Sequence, residues 1–253
     1  QNIIWKSRLP QALTALVAGA GLSISGLQMQ TVFRNPLAGP SVLGISSGAS
    51  MGVAFVVLLS GSLGGVALSK LGFMGEIALS IAAVIGSLSV MALIVYVSQK
   101  VKGNVTLLII GVMIGYVANA VIGVLKFFSV EEDIRAYVIW GLGSFARVSG
   151  NQMTLFVILM TILIPLSFLL IKTMNLMLLG DSYARNLGLN IKRARLLVIT
   201  SAGVLTAIVT AYCGPIIFLG LAVPHLCRAI FQTSDHRILM PAVLFAGAAL
   251  ALI

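Results

Sequence analysis

This sequence carries little charge. Only 9% of its 253 residues are Asp, Glu, Lys or Arg, whereas a soluble globular domain carries about 25%. A soluble fold of this length could bury a good core, but so few charges could not cover its surface, so a water-soluble domain is excluded. Cysteine is scarcer still. Cys213 and Cys227 are the only two, which excludes a disulfide framework, and both sit in apolar surroundings where a free thiol behaves as a small hydrophobe. No GxxxxGK[ST] loop is present, so ATP is not bound by that device. Carboxylates are missing from the middle of every apolar segment, Glu76 at an outer edge being the nearest case. That argues against proton coupling, which usually places an ionisable group within a span.

What is present is apolar and grouped. Apolar residues make up 59% of the chain and the mean hydropathy is +1.11. A helix crossing the hydrocarbon core needs about 20 mostly apolar residues. Residues 9–33, 42–60, 77–98, 105–128, 153–171 and 196–212 meet that rule, 216–231 is shorter and more broken, and 239–253 begins a further segment. The runs are continuous and do not alternate with period two, so they predict helices and not a barrel. The expectation is an all-α polytopic membrane bundle of about eight segments. It forms a single transmembrane domain over residues 1–253, a fragment lacking the first and last helices of a longer bundle. Residue 1 is not Met and no signal peptide precedes the first segment.

The net charge of +10 would point to nucleic acid in a soluble protein. Here the charges lie between segments and report topology, so no nucleic-acid partner is expected. One alternate set of loops holds Arg34, Lys100, Lys102, Lys172, Arg185, Lys192, Arg193, Arg195, Arg228 and Arg237 against Asp181 and Asp235. The other holds Lys6, Arg8, Lys70, Lys126, Arg135 and Arg147 against Glu76, Glu131, Glu132 and Asp133. The positive-inside rule places the first set in the cytoplasm, which leaves residue 1 outside.

Two connections exceed simple turns. The outer one, 129–152, starts with Glu131-Glu132-Asp133 and predicts an amphipathic helix over 134–146 at the membrane interface, where Trp140 is favoured. The acidic cluster complements the positive end of that helix. The inner one reads KTMNLMLLGDSYARNLGLNIKRAR over 172–195. Asp181-Ser182 can cap a short helix through Asn186, and Gly188 can end it in a left-handed conformation. A solvated linker is the alternative.

The stretch QMQTVFRNPLAGPSVLGISSG, 28–48, interrupts apolar sequence with two Pro and several Gly. Broken backbone at membrane depth is tolerated only where protein or a water-filled cavity satisfies it. Gln28, Gln30, Asn35, Ser46 and Ser47 lie beside the break. They fit either a pathway lining, with a gate at Asn35 and Leu37, or hydrogen bonding between helices. Gly39–Gly44 is echoed approximately by Gly214–Gly220, and the preceding segments run in opposite directions, a pointer to a transport pathway. Small-residue stretches at 18–25 and 111–123 allow close helix packing. In CGPIIFLGLAVPHLCR, 213–228, His225 is expected to make a buried hydrogen bond near the cytoplasmic end. A zinc site from Cys213, His225, Cys227 and His236 fits no usual ligand spacing.

Three of these stretches resemble the FecCD permease family. They are RLPQALTALVAGAGLSISGLQMQTVFRNPLAGPSVLGISSGA near the start, GDSYARNLGL in the inner connection, and CGPIIFLGLAVPHLCR with DHRILMP near the end. They fall in the family's order across nearly the whole chain. The resemblance implies a type II ABC importer permease of ten helices in the full family. It implies a homodimer, two cytoplasmic ATPase subunits, a soluble substrate-binding protein and a place in the bacterial cytoplasmic (inner) membrane. The cargo would be an iron–siderophore, haem or cobalamin-type complex. No cofactor is implied, and ATP hydrolysis would belong to the partner subunit. By motif, Arg8 would dock the binding protein, although Gln11 stands where the family often has a second arginine. Asn35 and Leu37 would form a cytoplasmic gate, with Asn104 in a second gate region. Asp181, Arg185, Asn186, Leu187 and Gly188 would form the coupling helix that enters the ATPase. The rival readings are a secondary transporter with inverted repeats and an intramembrane metal enzyme around Cys213, His225 and Cys227.

Overall fold

A computed structural model describes Trp5 and residues 8–62, 73–101, 103–148 and 150–253. Lys6, Lys70 and Lys102, and the side chains of Glu76 and Asn104, lie outside the described residues. All regular structure among the described residues is helical: α1 (Leu9–Phe33), α2 (Ile45–Ser62), α3 (Phe73–Lys100), α4 (Asn104–Phe127), α5 (Glu131–Gly141), α6 (Gly150–Phe168), α7 (Ile171–Leu178), α8 (Asp181–Asn186), α9 (Ile191–Cys213), α10 (Leu219–Phe231) and α11 (His236–Leu250). Short 3₁₀ turns sit at Pro40–Leu43 and Phe145–Arg147.

The eight apolar segments all reappear, but not as eight full crossings. Among the described residues, α1, α3, α4 and α9 are each long and apolar enough to cross a membrane, and the pair α6–α7 makes a fifth if counted as one bent span. That pair bends by 45° where Leu169 and Leu170 tighten to bonds with residues three back. The other three segments form the shorter helices α2, α10 and α11. The segment over 42–60 is therefore corrected. Val42 and Leu43 belong to the 3₁₀ turn, and the helix starts only after Gly44, whose φ is +73°.

Two of these short helices, α2 and α10, begin deep in the bundle. Gly44 packs against Gly111 and Gly115, near the middle of α4, and Gly220 at the start of α10 packs against Leu22 and Gly26, near the middle of α1. Gly220 also meets the ring of Pro40. The two Gly/Pro breaks that echo one another in sequence thus converge in space.

Helix α1 is the hub, buried on nearly all sides from Ala18 to Phe33. It packs on α9, α10, α11 and α6. Small residues make this possible. A Cβ at Gly26 would collide with the backbone of Gly220, one at Gly19 with that of Gly247, and in the α2–α3 pair one at Gly48 with Gly86. Helices α3 and α4 keep rows of exposed aliphatics, including Ile81, Ile85, Ile109 and Val117, a surface for lipid or another apolar partner.

The outer connection departs from expectation. The helix spans Glu131–Gly141 and stops before Gly143, whose φ is +68°. Glu131, Glu132 and Asp133 do occupy its first turn. Trp140 is not an interfacial anchor: it is 1% exposed, 6.5 Å from the Tyr137 ring between centroids and 5.9 Å from the Arg147 guanidinium. The hydrogen bond from the Ser144 amide to the Cys213 carbonyl, 2.7 Å, ties this connection to the end of α9 and turns the indole inward.

Candidate functional site

The loop set with most positive charge gathers at one end of the bundle. Arg34 ends α1 in a left-handed conformation, φ +48°, and its amide and that of Asn35 close back on Thr31 and Gln30, a Schellman end. This geometry turns the Arg34 guanidinium toward α7 and α8, where it bonds the Met177 carbonyl at 3.1 Å and the Asp181 carboxylate at 2.5 Å.

Helix α8 is short because both ends are marked by glycine. Gly180, φ +95°, precedes it, and Gly188, φ +85°, follows it. The amides of Gly188 and Leu189 close on Arg185 and Ala184, each at 2.9 Å. Gly188 therefore acts as the sequence implies, but Asp181 does not. It is the first helical residue and makes no cap bond, because its carboxylate is turned to Arg34. Arg185, Asn186 and Gly188 are exposed, as are Tyr183 and Leu187, the latter at 60%. An exposed leucine and tyrosine on a six-residue helix form a small apolar knob at a polar end.

A second network joins the same end through α11. Asp235 caps that helix by accepting from the Arg237 amide at 2.9 Å and accepts from the Asn175 side chain at 2.6 Å. The Asn175 oxygen accepts from the His236 amide at 2.9 Å and faces the His236 Nδ1 at 2.7 Å. An amide oxygen only accepts, so a neutral ring carries its proton on Nδ1. Nε2 is then an acceptor facing the Thr31 hydroxyl at 2.7 Å, whose single proton is shared with the Leu27 carbonyl at 2.8 Å. His236 is 1% exposed. This relay ties α1, α7 and α11 together. Beside it, Gln30 donates to the Leu221 carbonyl at 3.2 Å and accepts a short bond from Arg228, adding α10.

His225 is the corrected histidine. It is exposed, because Val223, Pro224 and Cys227 take the inward face of α10. The buried histidine at this end is His236. Among the described residues no group of three His, Cys, Asp or Glu is placed to hold a metal ion.

The pathway candidates make contacts with several different elements. Gln28 is buried and donates to the Ser201 hydroxyl at 3.0 Å, while its own oxygen has no partner. Ser46 lies 3.5 Å from the Thr210 hydroxyl, and Ser47 abuts Gly115. Ser25 reaches the Ala202 carbonyl at 2.9 Å and Thr206 at 2.7 Å. Gln28, Ser46 and Ser25 thus form polar contacts with α9, whereas Gln30 faces α10. Asn35 accepts from the Leu37 amide at 2.9 Å, a tight turn that leaves the Leu37 side chain 69% exposed. Arg8 and Gln11 are exposed at the opposite end of α1. Thr31, Asn175, Ser201 and Thr206 had no signal in the sequence, since isolated polar residues in apolar runs do not reveal their partners. Only Asp235, placed just before an apolar run, carried the mark of a helix cap.

A helical bundle with several membrane-length apolar helices, two Gly/Pro breaks that meet inside it and one strongly basic, hydrogen-bonded end has the architecture of a membrane permease. A model of the FecCD transport family matches residues 1–253. The chain is 35% identical over 248 residues to the vitamin B12 import system permease protein BtuC of Klebsiella pneumoniae, covering 98% of this chain and 71% of that protein. It is 36% identical over 254 residues to the hemin transport system permease protein HmuU of Yersinia pestis, covering 98% and 73%. A solved structure described as an inward-facing conformation of a metal-chelate type ABC transporter superposes with a TM-score of 0.87 at 30% identity, covering 100% of this chain and 77% of the other. The chain belongs to the FecCD transport family.

Proposed function

We propose that this chain is the permease subunit of an ATP-binding-cassette importer that carries ferric siderophores across the bacterial inner membrane, haem and cobalamin being the other cargoes open to it. It acts as a homodimer with two cytoplasmic ATPase subunits, and a soluble binding protein delivers cargo at the end that carries Arg8. The observation that carries this reading is α8: a short, exposed knob pinned by Asp181 to Arg34 at the end of the most buried helix. A secondary transporter has no use for such a knob.

In this reading Tyr183, Arg185 and Leu187 enter the ATPase, with Asn186 and Gly188 completing the coupling helix. Displacement of α8 is passed to α1 by the Arg34–Asp181 pair. The Thr31–His236–Asn175 relay moves α7 and α11 with it. The Asn35–Leu37 turn follows directly after Arg34, so the same displacement swings Leu37 as a gate, with the turn at Asn104 as a second. Gln28, Gln30, Ser46 and Ser47 supply polar positions that exchange partners as the two halves rock. ATP drives the cycle because it binds the two membrane states with different affinity.

The test is co-purification with the ATPase encoded beside it, repeated with Arg185→Glu and Leu187→Asp. The complex is expected to form and to be lost in both variants. Unimpaired assembly and transport in the variants would remove α8 from the coupling role. Transport that survives ATP depletion and collapses with an ion gradient would establish the secondary transporter instead.

A further inference from the structure

A cleft of about 230 Å³ opens between the C-terminal end of α3 and the start of α9, beside α8. Its walls include Ser98, Lys100, Asp181, Arg185, Lys192 and Arg195. Four cations thus face one carboxylate, and that carboxylate is already held by Arg34.

Arg195 is the anomaly. It is only 8% exposed, and its Nε has no hydrogen-bond partner among the described residues. A buried guanidinium without an acceptor is costly. The start of α9 is equally unusual. The positive end of a helix favours acidic residues, yet the first turns of this 23-residue helix carry none and instead hold Lys192, Arg193 and Arg195. An anion in the cleft eases both conflicts. It offsets the stacked positive charge around the buried Arg195 side chain and meets the edge of its guanidinium that lines the cleft, and a tetrahedral oxyanion suits a guanidinium with two ammonium groups nearby.

The surroundings point to the membrane surface as the source. Lys100 lies 4.5 Å from the centroid of the Tyr96 ring, and Tyr96 is exposed on α3 in line with Leu93, Ile85 and Ile81. A tyrosine at the end of an exposed aliphatic row marks the headgroup level, and basic pockets at that level on the cytoplasmic side take anionic headgroups.

We propose that this cleft binds a phosphate group, supplied by an anionic phospholipid such as phosphatidylglycerol, with Arg195, Lys192 and Lys100 as its ligands. The site does not require the ATPase reading, and its test uses the permease without that partner. Purified, delipidated full-length permease in neutral detergent would be titrated with short-chain phosphatidylglycerol, short-chain phosphatidylcholine and inorganic phosphate, with binding read by native mass spectrometry. Phosphatidylglycerol is expected to bind and phosphatidylcholine to bind at least tenfold more weakly. Arg195→Gln should weaken phosphatidylglycerol by roughly tenfold and the exposed Lys192→Gln by about fivefold. Arg193→Gln, on the same turn but outside the cleft, should match wild type. Lys192→Gln keeps the test decisive if Arg195→Gln does not fold. Saturable binding of inorganic phosphate, abolished by the same variants, would support the phosphate site with the free ion as its source. Equal effects of Arg193→Gln and Lys192→Gln, or no phosphate-bearing ligand at all, would overturn the proposal. So would variants that weaken ATPase association alone, since the cleft would then hold a carboxylate of that partner.

Discussion

Thr31→Val is the sharpest probe of the relay that joins α1 to α11. The substitution preserves shape and removes one hydroxyl, leaving His236 Nε2 buried with no other partner in the relay. Stranding a buried acceptor costs about 1–3 kcal/mol, while hydrogen bonds between membrane helices average about 0.6 kcal/mol. The site lies at a helix end, and the ring is 1% exposed, so we expect about 1–2 kcal/mol. At roughly 2–4 °C per kcal/mol for a chain of this size, the thermal midpoint in detergent should fall by about 2–8 °C. His236→Leu removes the other partner and leaves the Asn175 oxygen bonded to the backbone amide of residue 236. In Thr31→Val/His236→Leu no stranded acceptor remains, so the double variant should be less destabilised than the two single effects combined, by about 1 kcal/mol. A coupling below about 0.3 kcal/mol, the scatter of independent sites, would refute the relay as an energetic unit.

Three further outcomes are expected. Arg34→Asp and Asp181→Arg should each abolish transport while changing stability by about 1 kcal/mol or less, since both groups are about two-fifths exposed; the swapped pair should recover transport, which a merely structural role would not produce. Gly26→Ala should destabilise by about 1–3 kcal/mol by forcing α1 and α10 apart, whereas Gly123→Ala, with open space around it, should be neutral in the same thermal assay. The Arg237 amide, the Asn175 side chain and nearby positive charge hold the Asp235 carboxyl below its ordinary value. A depressed pKa stabilises above the unfolded value of about 4 and is lost as pH falls through the lower folded one. A thermal scan from pH 6 to pH 3 should show this loss in wild type, and Asp235→Asn should lack that component.

Composition alone determined that this chain lives in a membrane and is helical, because so few charges cannot wet a surface of this size and the apolar runs are continuous. The number of apolar segments and a short helix ended by Gly188, one of two readings of that connection, were also legible, since each depends on residues adjacent in sequence. Length misled at residues 42–60, where apolarity continues through a 3₁₀ turn, and at 134–146, where Gly143 ends the helix early. Which histidine is buried was decided by tertiary packing. His225 follows an apolar run and His236 a polar one, yet it is His236 that is buried: the inward face of α10 is taken by Val223, Pro224 and Cys227, whereas α11 begins against Thr31 and Asn175. The convergence of the two Gly/Pro breaks at Pro40 and Gly220, and the pinning of α8 to α1, join residues about 150–180 positions apart. Sequence fixes what each segment can be, and only the packed bundle selects which segments meet, because those contacts depend on backbones that glycine lets approach across the fold.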